Sequence, residues 1–116
     1  MKINEDVLLS IPNLLLGEHI KVSLNATGYE VEHVEPKDVP ERISEKKWDF
    51  VIVDLGAQNP KSIDKFPDLP QSIKTIGLVT HRDARIIPVW KKKGFNCVFR
   101  TDFFNDPGKF LFPEDG

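Results

Sequence analysis

Trp48-Asp49-Phe50-Val51-Ile52-Val53-Asp54-Leu55 is the stretch that decides the fold of this chain. Its centre, Phe50 to Val53, is an almost unbroken apolar run rich in β-branched residues. The run is too short for a lone helix and reads as a strand buried on both faces of a parallel sheet. Asp54 then stands at the carboxyl end of that strand, where ligands and chemistry gather in open α/β sheets. A carboxylate there is a candidate nucleophile or metal ligand. The plain alternative is a side chain that accepts backbone N–H bonds from the loop that follows.

Upstream, Asp6 to Ser10 reads as a first strand. Asn13 caps a helix running to about Thr27, with Leu16, Ile20 and Leu24 at four-residue spacing. Gly17 costs this helix a little, and Gly28 closes it. Tyr29 to Val34 suits a more exposed strand near a sheet edge. Asp38 is expected as the N-cap of a second helix, with Pro40 in its first turn, Glu41 closing a capping box and an end near Trp48. Downstream, Gly56 to Gln71 contains Pro60, Pro67 and Pro70 and excludes a long helix, leaving one or two turns around Ser62 to Phe66. Thr75 to Thr80 follows as a fourth strand. A helix from about Asp83 to Lys93 carries Ile86, Ile87 and Trp90, with Pro88 restricting its start and Gly94 ending it. Asn96 to Arg100 is the fifth strand. The tail from Asp106 to Phe112 leaves little room for a long final helix. Strands alternating with helices imply right-handed βαβ units on one sheet. The expected architecture is an α/β, flavodoxin-like three-layer sandwich. Its five-stranded parallel sheet has the order 2-1-3-4-5, with the third and fifth helices shortened.

The bulk properties agree with a single domain over residues 1–116. At a net charge of −2 the chain has no basic stripe that argues for nucleic acid. Lys91-Lys92-Lys93 reads as the solvated end of a helix, complementing its dipole. Cys97 is the only cysteine, which rules out an intrachain disulfide, and it is expected to be a buried, inert thiol. No stretch approaches the length of a membrane span and no signal-peptide pattern opens the chain, so a cytoplasmic domain is expected.

Val7-Leu8-Leu9, Asn13, Leu16, Ile20, Leu24 and Gly28-Tyr29-Glu30-Val31 together resemble the opening of bacterial response-regulator receiver domains. Trp48 to Leu55 resembles the family's third strand with its phospho-accepting aspartate, here Asp54. Ile76-Gly77-Leu78-Val79-Thr80 is similar to the fourth strand with its switch hydroxyl, here Thr80. Gly94 through Phe99 is similar to the fifth strand. The likeness spans about residues 6 to 104 and rests on order and spacing more than on any one motif.

The departures from the family pattern bear on function. Receivers place two acidic residues at the end of the first strand to hold Mg²⁺; that place falls on Ile11 and Pro12 here, after Ser10. Neither side chain offers the oxygen that this hard cation requires. The family's fifth-strand lysine falls on Thr101 when counted from Gly94. Arg100 takes that place only if the alignment slips by one, which on a strand reverses a side chain's face. Phosphoryl transfer to a carboxylate is mostly positioning and charge neutralisation. Each missing helper costs roughly 3 kcal/mol, or about 10² in rate.

The resemblance therefore implies a degenerate receiver, without enzymatic activity, metal or cofactor, that acts as a phosphorylation-independent protein-interaction module in bacterial signalling. It implies contact with a protein partner, or with a second copy, through Ile87, Trp90, Lys91, Phe99, Phe103 and Phe104, and no contact with nucleic acid or membrane. Thr80 and Thr101 are the switch-equivalent positions. The bland readings are that Thr80 is an ordinary loop residue and that Trp90, Phe103 and Phe104 are core. His81 and Asp83 follow the fourth strand but are not expected to form a metal cluster with Asp54, and His19 and His33 are expected at the surface. Gly-x-Ser-x-Gly is absent, and Pro12 removes a donor from any phosphate cradle after the first strand. Two alternatives stay open. One is an atypical receiver that is still phosphorylated on Asp54. The other is a small-molecule sensor whose cleft is lined by Ile11, Pro12, Leu55 and Ala57.

Overall fold

The structure is a computed structural model that describes residues 5–111. β1 (Asp6–Ser10), β2 (Glu30–His33), β3 (Phe50–Asp54), β4 (Lys74–Val79) and β5 (Cys97–Phe99) form one all-parallel sheet in the order β2-β1-β3-β4-β5. Every residue of β3 is buried, as its apolar run requires of a central strand. This is the α/β, flavodoxin-like architecture read from the sequence.

Alternation along the strands divides the interior in two. Val7, Leu9, Ile11, Phe50, Ile52, Ile76 and Leu78 face one layer, with Ile20 and Leu24 of α1 (Leu14–Ala26), Phe103 of α4 (Arg100–Asn105) and Leu111 of α5 (Pro107–Leu111). Leu8, Val51, Val53 and Val79 face the other, with Val39 and Ile43 of α2 (Val39–Glu45) and Trp90 of α3 (Ile87–Lys93). Each layer buries what a single helix stripe cannot cover alone.

Asn13 caps α1 as expected, its side chain accepting from the Leu16 amide at 3.1 Å. Gly94, at φ 108°, ends α3 in the left-handed region, with its backbone against Leu69. The third connection contains only short 3-10 turns, Leu55–Ala57 and Pro60–Lys65, as its prolines predict. The last helical segment is split into the short α4 and α5; Phe112 and the rest of the tail lie outside the described residues.

Several boundaries differ from expectation, and β5 is one of them: it spans Cys97–Phe99, not Asn96 to Arg100, and leaves Arg100 to α4. Asp38 makes no side-chain cap, because a 3-10 turn over Pro36–Asp38 runs directly into α2 and leaves Asp38 already helical at φ −92°, ψ −9°. α2 stops at Glu45, where Trp48 folds back and its indole N–H donates to the Arg42 carbonyl at 3.1 Å. The helix expected from Asp83 breaks into a 3-10 turn, His81–Asp83, and a shorter α3 that starts at Ile87 and holds Pro88 in its first turn, where a missing N–H costs no helical bond.

His33 is the clearest correction to the reading of surface positions. Its side chain is only 8% exposed, with Nδ1 3.2 Å from Glu18 Oε2 and Nε2 3.2 Å from the Ile11 carbonyl. Gly17 makes room for it: a Cβ at Gly17 would collide with the imidazole. In an ordinary helix, glycine to alanine gains about 1 kcal/mol. Here Gly17→Ala is expected to destabilise by about 1–2 kcal/mol. Gly17→Ala added to His33→Ala is expected to stabilise, and urea denaturation of the four proteins checks this reversal of sign.

Cys97 is half-buried rather than fully buried, and burial pushes its thiol above the ordinary range, against a smaller opposing pull from Lys91. Raising the pKa lowers the thiolate fraction near pH 8, and the thiolate is the reactive form. Native protein is expected to react with a disulfide reagent at least about tenfold more slowly than protein unfolded in guanidinium at the same pH.

Candidate functional site

Three chain segments meet beyond the carboxyl ends of β3, β4 and β5. Asp54 closes β3 and is 4% exposed. Thr80 follows β4 and opens the 3-10 turn that carries His81 and Asp83. Arg100 follows β5 and starts α4. Its Nη2 donates to Asp54 Oδ1 at 2.7 Å, a single charge-assisted bond spanning 46 residues of sequence.

The neighbouring polar groups are turned to one another. The Thr80 amide and hydroxyl donate to Asp83 Oδ2 at 2.6 and 3.1 Å, within a reciprocal capping box. Gly56 roofs the cluster. A Cβ there would lie 2.8 Å from Arg100 Nη2, 3.0 Å from Asp83 Oδ2 and 3.3 Å from Asp54 Oδ1. The bare glycine is what lets the loop backbone approach the two carboxylates and the guanidinium so closely. The His81 ring stacks on Phe99, with centroids 4.5 Å apart, and joins Arg82 and Gly56 around a hollow of about 520 Å³.

The tip of β1 contributes no acid to this cluster. Ser10 is 1% exposed, with its hydroxyl unpaired, Ile11 is core and Pro12 is exposed. Among the described residues, no group of three or more His, Cys, Asp or Glu side chains is placed to hold a metal ion. The donor set beside Asp54 is a guanidinium and a carboxylate already engaged by Thr80, which does not fit a divalent cation that takes oxygen ligands in octahedral array.

The counted position Thr101 is exposed in the first turn of α4, away from Asp54, and Arg100 occupies the cationic place instead. The strand-face objection to Arg100 does not apply, because β5 ends at Phe99 and Arg100 is already helical. Two of the six interaction-face residues leave the surface. Trp90 is 0% exposed, edge-on to Phe66 at 4.9 Å and to Phe95 at 5.6 Å. Phe103 is 0% exposed in the opposite layer, beside Phe104 and Phe110. Each is the one fully buried residue of its short helix. Ile87, Phe99 and Phe104 stay half-buried and Lys91 exposed. Leu55 is also fully buried in the core, whereas Ile11, Pro12 and Ala57 line a second, larger hollow.

No protein-family model, no curated protein and no solved structure matches this chain.

The two partners of the ion pair differ in exposure, 5% for the Asp54 side chain and 36% for that of Arg100. Removing the cation strands a buried charge, whereas removing the anion leaves a guanidinium that water can reach. Arg100→Ala is therefore expected to destabilise by about 2 kcal/mol. Asp54→Asn is expected to cost about 1 kcal/mol. The double variant should fall short of their sum by ~1 kcal/mol in urea denaturation.

Proposed function

We propose that this chain is a receiver-like signalling module in which an internal ion pair stands in place of phosphoryl-transfer chemistry. The module acts by binding a protein partner, or a second copy of itself, and not as an enzyme. The observation that carries this reading is the 2.7 Å bond from Arg100 to Asp54 Oδ1.

An incoming phosphoryl group must meet a free carboxylate oxygen in line with its leaving group, with cations ready for the charge that develops. Asp54 is nearly shut off from solvent, one of its oxygens is held by a guanidinium, and the Gly56 backbone lies over the pair. Attack through that oxygen first costs a charge-assisted bond. The hydroxyl of Thr80 is tied to Asp83 instead of facing the carboxylate as a ready donor. Ser10, Ile11 and Pro12 supply no metal-binding acid at the neighbouring strand end. Losing both the metal and a mobile cation removes roughly 6 kcal/mol of transition-state stabilisation, taken as two electrostatic helpers.

A partner would meet Ile87, Phe99 and the exposed Lys91 on one side of the β5 edge and Phe104 on the other, half-buried apolar groups beside an exposed ammonium. The rest of the scaffold, two packed layers about a parallel sheet, is rigid support for that face.

The test is incubation with beryllofluoride and Mg²⁺, followed by amide NMR. Asp54, Gly56, Thr80 and Arg100 are expected to stay unshifted at millimolar ligand. Saturable shifts at these residues that disappear in Asp54→Asn would overturn the proposal in favour of a live phosphoacceptor.

A further inference from the structure

We infer that the hollow beyond the carboxyl ends of β1, β2 and β3 is a binding site for an amphipathic organic acid, an apolar body ending in a carboxylate. This goes beyond the interaction-module reading and does not depend on it. The hollow shares no lining residue with the Asp54–Arg100 cluster.

Its position follows from topology. β1 leads to β2 on one side of the sheet and β3 leads to β4 on the other, so the chain leaves β1 and β3 in opposite directions and opens a crevice between them. The crevice encloses about 1150 Å³, room for a ligand of small-molecule size. Ile11, Pro12, Leu14, Val34, Pro36 and Ala57 give it apolar walls.

Those walls are fixed before any ligand arrives. Gln58 is 7% exposed, and its side-chain amide donates to the Pro36 carbonyl at 2.8 Å, tying the loop after β3 to the turn after β2. The clamp on His33 by Glu18 and the Ile11 carbonyl joins the ends of β1 and β2. Prolines at 12 and 36 restrict the backbone further. A preformed apolar cavity avoids the ordering cost that a flexible one incurs on binding.

The rim supplies the sign of the charge. Lys37, Lys61 and Lys65 line it, together with Glu35 and Glu41. Lys37 pairs with Glu35 at 3.4 Å. Among the described residues, no carboxylate lies within 4.0 Å of the Lys61 or Lys65 ammonium. Asn59 holds the start of their 3-10 turn by accepting from the Lys61 amide at 2.9 Å. Among the described residues, Glu41 on the same rim has no cation within 4.0 Å either, so two free ammonium groups face one free carboxylate and the rim is left net positive, which favours a ligand with an anionic head and a hydrocarbon body.

Decanoate, decanol and decyltrimethylammonium share one chain and differ in head group, so their titration into ¹⁵N-labelled protein separates the contributions. Decanoate is expected to give saturable amide shifts centred on His33, Ala57 and Gln58, decanol weaker ones and the cation the weakest. Charge reversal in K61E/K65E is expected to weaken decanoate about tenfold while leaving decanol unchanged. K61Q/K65Q, milder for the fold, should fall between. Equal response to the three head groups would overturn the inference. So would shifts centred on the exposed Leu15 and Val22 of α1, or no shifts up to roughly 10 mM, where even millimolar affinity is saturating.

Discussion

The bond between Arg100 and Asp54 joins elements that are not neighbours. β4 lies between β3 and β5, and the ion pair passes over its end. A carboxylate this deeply buried requires a compensating positive charge, and the chain supplies it from the first residue after β5. Several local features then follow. α4 must begin at once, to aim the guanidinium inward. The loop above must be bare at Gly56, and Asp83, the second acid nearby, is satisfied by Thr80. The β3–β5 part of the sheet's carboxyl edge is thereby organised around a charge that the protein neutralises internally.

Much of the scaffold was legible in residues that have few alternatives. An apolar run of β-branched residues at 50–53 has one comfortable home, the middle of a parallel sheet. Gly94 and Asn13 announced helix boundaries by well-defined chemistry. The three prolines after Gly56 excluded a helix as plainly. What could not be read were events decided in three dimensions. Asp38 carries the composition of a cap, but the preceding Pro36 starts the turn early and takes the role away. Gly17 looks like a weakness in α1 until the His33 ring is seen pressed against it, 16 residues on in the chain. Strand alternation argued against Arg100, yet alternation ceases one residue earlier. The aromatic residues at 90 and 103 had equal claim to surface and core from sequence, and the packing of each against its own layer of the sheet puts both in the core.

The two hollows at this edge illustrate how one topology can carry separate chemistries. Near β4 and β5 the groups are charged, close and mutually satisfied. Near β1 and β2 the walls are apolar, and two of the three ammonium groups on the rim are spare. Gln58 belongs structurally to the second region, although the loop that bears it also contains Gly56 of the first. A displacement of this loop would be felt in both places, because only Ala57 separates the two residues.

The outermost strands set a limit on assembly. β2 has four residues, with Glu30 exposed and Glu32 clasped by Arg42, and β5 has three. A short rim bearing carboxylates at β2 and a rim of only three residues at β5 both offer a poor template for main-chain pairing by another molecule. Lengthening of the sheet from copy to copy, the geometry of fibrils, is disfavoured at both margins. Complexes of this protein are therefore expected to use side-chain contacts rather than strand addition.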